Sequence, residues 1–272
     1  MALFIGVNVF SAPKTETYKD IIEKAQNLSL QKDRGQAVLV LTKALARETK
    51  KSLAQKELTQ ALEEVSTFFY SDKAQQLYEL ALTLKTTDVP AAISKLQEAS
   101  RIEPDNLLIQ LELGRIQISS GDCSKALGQL KKLQEQFQFL ETAQLAVGQA
   151  AVCAGNFEDY TTVKINVDMK KSALGLYWTI AELEYLNKTG SYQKLKELVL
   201  QRQEASYPEL LYWAWRADVD QKIKADKLGQ KYLAACKNLS LRTARQHQYD
   251  PTLCKHLSEV ETYLKRTNNS DI

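Results

Sequence analysis

The chain has 272 residues, and its 36 Lys and Arg against 33 Asp and Glu leave a net charge of only +3 at pH 7. This near balance excludes the strongly basic composition of a nucleic-acid-binding protein, and we expect no nucleic-acid partner and no membrane insertion of the mature chain. Ten Gly and five Pro are few for this length, and the abundance of Ala, Leu, Lys, Gln and Glu favours helix throughout.

The N-terminal residues 1–12, MALFIGVNVFSA, are apolar and are followed abruptly by polar sequence. This stretch is too short to span a membrane. It is similar to the apolar region and small-residue end of a secretory signal peptide, but it lacks the basic leader. We therefore predict a truncated signal peptide and an exported, most simply periplasmic, protein. The alternative is an ordinary N-terminus, in which case the protein is cytoplasmic.

Apolar residues at helical spacing predict paired helices over residues 13–249. The first pair covers 15–50 with a break at Gly35, and an extra helix lies within 51–70. The following pairs are 73–85 with 90–102, 107–119 with 122–135, 139–154 with a weak partner from 156, 176–188 with 192–204, and 209–221 with 225–237. Asp122 is a predicted N-cap. A polar stretch covers 238–249, and residues 250–272 form a final helix, over 251–266, with a short tail.

Landmark glycines recur along these pairs. Gly114 and Gly148 are 34 residues apart, as are Gly121 and Gly155, and Gly190 follows 35 residues later. A fixed period of this size is typical of stacked helical hairpins. Residues 88–121 contain small Ala92 and Ala99, bulky Leu96, helix-ending Pro104 and the pair Leu113-Gly114. These residue types occur at the intervals of a tetratricopeptide repeat, and this stretch therefore resembles that repeat.

The resemblance implies an all-α, right-handed superhelical solenoid of about six helix-turn-helix repeats with a C-terminal capping helix. In that family the first helix of each repeat lines a concave groove. The groove positions in this sequence are Leu108, Leu111, Arg115, Thr142, Leu145, Gln149, Tyr177, Ile180 and Glu184. One branch of the family binds a peptide carboxylate through Lys and Asn, but the corresponding positions hold Leu111, Arg115 and Ala146, so that binding mode is not expected.

Two functions are consistent with this architecture. The first is a non-enzymatic scaffold that binds an extended peptide or a partner helix in the groove. The alternative is a structural subunit that self-assembles, or joins an envelope complex, through exposed repeat faces. The region 222–266 holds ten basic against four acidic residues, so a basic end is a second candidate surface for a partner. Aromatic residues such as Trp178 and Trp213 indicate either groove anchors or packing between repeats.

We expect no enzyme, cofactor or metal. The only histidines are His247 and His256, and neither belongs to a metal-binding motif. Phosphate-binding and serine-hydrolase glycine motifs do not occur either.

The four cysteines indicate two disulfide pairs. No Cys-x-x-Cys motif is present, which argues against zinc and thioredoxin-type chemistry. Cys123 begins one predicted helix and Cys153 ends the next, and adjacent antiparallel helices bring those ends to one edge. Cys236 and Cys254 are placed in the same way. We therefore predict Cys123–Cys153 and Cys236–Cys254 in an oxidising compartment; the alternative is four buried free thiols.

Overall fold

A computed structural model of the chain describes residues 16–49, 52–165, 167–202, 204, 206–239 and 244–270. Within these ranges the chain forms helices joined by turns and has no strand, so the predicted all-α class is confirmed. The predicted signal peptide, residues 1–12, lies outside them. None of the helices in the described ranges has the length and apolar character needed to cross a membrane. The chain divides into two compact units between Val65 and Ser66.

The first unit is built from α1 (Tyr18–Leu30), α2 (Arg34–Leu45) and most of α3 (Leu53–Thr67). Thr17 and Asp20 form a reciprocal capping box that starts α1. α1 packs on α2, and the buried Arg34 donates from Nε to the Val65 carbonyl at 3.3 Å. α3 corresponds to the extra helix predicted within 51–70.

The second unit contains the remaining helices. They are α4 (Asp72–Leu84), α5 (Val89–Ile102), α6 (Leu107–Ser120), α7 (Cys123–Gln136), α8 (Glu141–Ala154), α9 (Phe157–Lys164), α10 (Gly175–Lys188), α11 (Tyr192–Leu200), α12 (Pro208–Asp220), α13 (Asp226–Lys237), α14 (Ala244–Tyr249) and α15 (Leu257–Ser270). Consecutive helices pack on each other from α4 to α9 and from α10 to α13. In addition α6 packs on α8, α8 on α10, and α10 on α12.

The repeated glycines have two separate physical roles. Gly121 and Gly155 end α6 and α8 with φ of 87° and 75°, in the left-handed region that side chains with a Cβ avoid. Gly114 and Gly148 instead lie where helices approach closely. A Cβ on Gly114 would stand 2.7 Å from Leu130 Cδ1 of α7, and one on Gly148 would stand 2.9 Å from the Trp178 ring of α10.

The helix termini differ from the prediction at α8, which begins at Glu141 rather than at residue 139, and at α11, which ends at Leu200 rather than at residue 204. Asp122 occupies the N-cap position of α7, but its side chain makes no capping hydrogen bond. The weak helix predicted after Asn156 forms as α9, which ends at Lys164. The β-branched residues that follow it are not helical, in keeping with their low helix propensity.

The C-terminal region differs more from the prediction. The polar stretch 238–249 contains α14, and the last helix begins at Leu257 rather than at 251. Residues 251–256 form turns instead: Cys254 has a positive φ of 56°, and its N–H donates to Glu209 Oε1 at 2.8 Å. Asp250 Oδ1 accepts hydrogen bonds from the Thr252 N–H and hydroxyl, at 3.1 and 2.8 Å. α15 packs on α13, and its Glu259 accepts a hydrogen bond from Tyr212 of α12 at 3.0 Å.

The structure brings the four cysteines together in the predicted pairs. The Cα atoms of Cys123 and Cys153 are 5.5 Å apart, and those of Cys236 and Cys254 are 5.8 Å apart. Both separations lie within the range that a disulfide requires.

We expect Gly114→Ala to lower the free energy of unfolding by roughly 1–3 kcal/mol, because its methyl group must displace Leu130 in a packed interface. Gly128→Ala in α7 is the matched control. A Cβ there has no atom within 4 Å, so it should stabilise the chain by roughly 0.5–1 kcal/mol. Urea unfolding of both variants measures the difference, and equal effects would contradict the close approach of α6 and α7.

The cysteine pairing predicts that protein purified from its native compartment without reductant has no alkylatable thiol. Peptide mapping under non-reducing conditions should yield the peptide pairs linked by Cys123–Cys153 and Cys236–Cys254. Four alkylated cysteines, or the two other possible pairings, would contradict the prediction.

Candidate functional site

The nine predicted groove residues lie on three helices that pack in a row. α6 carries Leu108, Leu111 and Arg115, α8 carries Thr142, Leu145 and Gln149, and α10 carries Tyr177, Ile180 and Glu184. α12 continues this row, since it packs on α10. We refer to the side chains of α6, α8, α10 and α12 that approach residues 249–254 as the central face.

The structure buries five of the nine side chains and leaves four half-buried. The buried ones are Leu111, Arg115, Leu145, Gln149 and Ile180, and the half-buried ones are Leu108, Thr142, Tyr177 and Glu184. α6 and α8 each contact helices on several sides, so most of their positions are buried whichever way they point. A role of these nine residues in partner binding stays a prediction.

The central face is occupied by the chain's own residues 249–254. Gln149 Nε2 donates to the Tyr249 carbonyl at 2.8 Å. The Tyr249 ring lies 5.2 Å from the Tyr177 ring, and the Arg115 guanidinium lies 5.4 Å from the centre of the same ring. Three predicted groove residues, one from each of three helices, therefore converge on a single tyrosine far along the chain.

Our sequence reasoning assigned Tyr249 to a polar connection and so missed it. A signal for it was present, because Tyr249-Asp250-Pro251 places an aromatic ring in a polar stretch directly before a residue that ends helices. Nothing local to that stretch, however, indicates which surface the ring would contact.

Two buried carboxyl groups attach the same segment to α12 and its N-cap. Asp250 Oδ2 accepts a hydrogen bond from the Tyr207 hydroxyl at 3.2 Å. Glu209, in the first turn of α12, accepts the Cys254 N–H through Oε1 at 2.8 Å, whereas its Oε2 has no hydrogen-bond partner. Both ends of segment 249–254 are thus held through their main chain, at the Tyr249 carbonyl and at the Cys254 amide.

Burial controls the ionisation of this pair. Desolvation raises the pKa of Asp250 from its usual 3.8 to about 6, against the hydrogen bonds from Thr252 and Tyr207, which lower it. Burial, followed by the neighbouring charge of Asp250, holds the pKa of Glu209 well above its usual 4.5. The charge of Glu184, another predicted groove residue, raises the pKa of both carboxyl groups, while Lys255 lowers that of Glu209.

A buried ionic cluster lies beside the segment. Lys85 Nζ pairs with Glu112 Oε1 at 2.9 Å, and Arg115 Nη1 lies 3.6 Å from Glu112 Oε2. Among the residues that the structure describes, Arg115 Nε and Nη1 have no hydrogen-bond partner. Next to these three side chains is a cavity of about 130 Å³, which Pro251 and Leu253 also line. The cluster therefore places two cations and one carboxylate directly beside residues 249–254.

His256, two residues after the segment, lies among aromatic and acidic side chains. His256 stacks on Tyr212 with ring centroids 3.8 Å apart and pairs with Glu259 at 3.4 Å. Throughout the part of the chain that the structure describes, no group of three or more His, Cys, Asp or Glu side chains is placed to hold a metal ion. Trp178, Trp213 and Trp215 are buried among the helices, so packing accounts for them, whereas the half-buried Tyr177 presents its ring to Tyr249.

Comparison with known proteins adds no assignment, since the chain matches no protein-family model, no curated protein and no solved structure.

The raised pKa values predict how stability depends on pH. The folded chain binds more protons than the unfolded chain between the usual pKa of Asp250, 3.8, and its folded value of about 6. The free energy of unfolding should therefore fall as the pH rises through this window, by up to about 1.4 kcal/mol per pH unit for each proton. At lower pH, Glu259 acts in the opposite sense, because hydrogen bonds from His256 and Tyr212 hold its pKa at about 2.

Asp250→Asn should make the free energy of unfolding depend less on pH, because the side chain no longer titrates. Its amide oxygen can still accept the hydrogen bonds from Thr252. Urea unfolding at several pH values between 4 and 7 measures the slope, with the exposed Asp105→Asn as the control that leaves it unchanged. An unaltered slope in Asp250→Asn would show that this carboxyl group titrates normally in the folded chain.

Proposed function

We propose that the protein is a non-enzymatic interaction scaffold that binds an extended peptide or a partner helix across the central face. In this proposal the helices form a right-handed solenoid of about six tetratricopeptide-like repeats, and the C-terminal helix caps it. The observation that carries the proposal is the occupation of the central face by residues 249–254.

Segment 249–254 is held as a peptide ligand would be. Gln149 and Glu209 bind a main-chain carbonyl and a main-chain N–H, which every peptide offers irrespective of its sequence. Arg115 and Tyr177 contact an aromatic ring, which is the type of side chain that most often anchors a protein interface. A face that combines both kinds of contact suits a peptide that binds through its main chain and one aromatic side chain.

The repeat architecture is supported by the spacing and packing of the glycines. Gly114 and Gly148 are one period apart, and each lies against a bulky side chain of a neighbouring helix. The contacts of α6 with α8, α8 with α10, and α10 with α12 are the ones that stacked hairpins make.

The proposed compartment is oxidising, and the protein is exported, most simply to a periplasm. The support is the pairing of all four cysteines at disulfide distance, which is common in exported proteins and rare in cytosolic ones.

A structural subunit that assembles through exposed faces is the second candidate. It is favoured by large apolar side chains on the surface of the second unit: Ile165 is 79% exposed, Leu200 83% and Phe68 58%. Light scattering over a range of concentrations separates the two candidates, because a concentration-independent monomer contradicts self-assembly.

The scaffold proposal predicts that random peptides displayed on phage can be enriched on the folded chain. Selection should use wild type and Tyr249→Ala as targets, since that substitution removes the ring that covers the face. Enriched peptides should bind Tyr177→Ala about tenfold more weakly, as expected for the loss of an aromatic anchor.

Tyr192→Ala is the matched control, because Tyr192 is also a half-buried tyrosine but lies on α11, which is outside the row. Its affinity for the peptides should equal that of the parent. The proposal would be contradicted if no peptide is enriched on either target. It would also be contradicted if the enriched peptides bind Tyr177→Ala with unchanged affinity.

A further inference from the structure

Segment 249–254 differs from an ordinary connection in the way its side chains are held. Asp250 is fully buried, and its carboxylate accepts one hydrogen bond from outside the segment, donated by Tyr207; the two from Thr252 are formed within the segment. The preceding ring of Tyr249 lies between Arg115 and Tyr177. The central face thus contacts an aromatic ring and, immediately after it, a carboxylate.

The groups that receive this pair come from separate helices. Arg115 lies on α6, Gln149 on α8 and Tyr177 on α10, while Tyr207 is the N-cap residue of α12. None of these positions is close in sequence to Tyr249 or Asp250, so local folding of the segment does not require them. Their convergence on one dipeptide is what a recognition site for that dipeptide would show.

The segment does not fill the face completely. The cavity of about 130 Å³ beside Pro251 and Leu253 has room for about four water molecules at roughly 30 Å³ each. Lys85 and Glu112 line it and supply a charged donor and a charged acceptor. A peptide with a longer, polar residue at the place of Pro251 or Leu253 can occupy this space, and so make contacts that the chain's own segment lacks.

The segment is held near the face by covalent structure as well. Cys254 is paired with Cys236 of α13, and the His256 N–H donates to the Tyr232 hydroxyl at 3.2 Å. Residues 249–253 are therefore present at a high effective concentration and compete strongly with any peptide in solution.

We infer that residues 249–254 are an internal ligand of the central face, and that the partner is a peptide in which an aromatic residue is followed directly by an acidic one. This inference rests on the proposed function and specifies its ligand. The partner peptide takes the place of Tyr249 and Asp250, and the internal segment sets the affinity threshold that it must exceed.

The test uses the full chain and a fluorescent probe peptide, His-Gln-Tyr-Asp-Pro-Thr-Leu-Ser, which copies residues 247–254 with Ser for Cys254. Fluorescence polarisation should give an affinity at least about tenfold higher for Tyr249→Ala than for wild type, because the internal competitor is weakened. A probe with Ala in place of Tyr should not bind. Tyr18→Ala in α1 is the matched control variant and should bind the probe as wild type does.

A second variant makes the test independent of Tyr249. Changing both Cys236 and Cys254 to Ser removes the link to α13, lowers the effective concentration of the segment, and should also tighten probe binding. Adding Tyr177→Ala to either variant should weaken binding of the probe again, which an effect on stability alone would not do. Circular dichroism confirms that each variant is folded.

Three outcomes would overturn the inference. The first is equal probe affinity for wild type, Tyr249→Ala and the double cysteine variant. The second is enrichment on Tyr249→Ala of displayed peptides that lack an aromatic–acidic pair, which would leave the proposed function standing and remove only the ligand specificity. The third is a wild-type dimer that Tyr249→Ala dissociates, since the occupant would then be segment 249–254 of a second copy.

Discussion

The close approach of helices at Gly114 and Gly148 is the constraint on which the second unit depends. Leu130 and Trp178 occupy the space that a Cβ at these positions would fill, so neighbouring helices come closer than larger residues would permit. Close packing on several sides leaves little of α6 and α8 exposed to solvent, and their sequences are accordingly apolar around most of the circumference.

The positions of these two glycines along the sequence are linked to the positions of two polar side chains of the central face. Arg115 and Gln149 each follow a close-approach glycine by one residue, so the 34-residue period repeats the position of a polar group, although Gly114 packs against Leu130 of α7 and Gly148 against Trp178 of α10. Both groups contact Tyr249, one through its ring and the other through its carbonyl. The packing of α6 and α8 therefore determines where both contacts with Tyr249 lie. A change that moves α6 relative to α8 also moves one contact relative to the other.

Burying charge around the segment carries a desolvation cost that the local hydrogen bonds only partly offset. Within the described part of the chain, Glu209 keeps one oxygen and Arg115 keeps two nitrogens without a hydrogen-bond partner. Buried ionic groups of this kind are poor evidence for stability, and replacing them with apolar residues is often neutral or stabilising. The proposed function gives these groups a role in recognition, where polar groups determine which sequence is accepted.

The sequence by itself determined the helical class, the pairing of the cysteines and most helix boundaries in the second unit. These follow from local quantities: apolar spacing, glycines that permit a left-handed turn, and the fact that adjacent antiparallel helices share an edge. α10, α12 and α13 begin and end within a residue of the predicted positions. The sequence also placed Arg115 and Gln149 at equivalent positions one 34-residue period apart, and it placed Tyr177 in the same predicted face through its 35-residue spacing from Thr142.

Only the tertiary structure decided what lies on that face. The contact between Gln149 and Tyr249 spans 100 residues, and no periodicity in either helix encodes it. The same reason explains why the last helix starts at Leu257, since local propensity gives way where the preceding segment is held by Glu209 of α12. Burial of Asp250 and Glu209 likewise depends on how α12 and residues 249–254 meet, and that meeting is a property of the assembled chain.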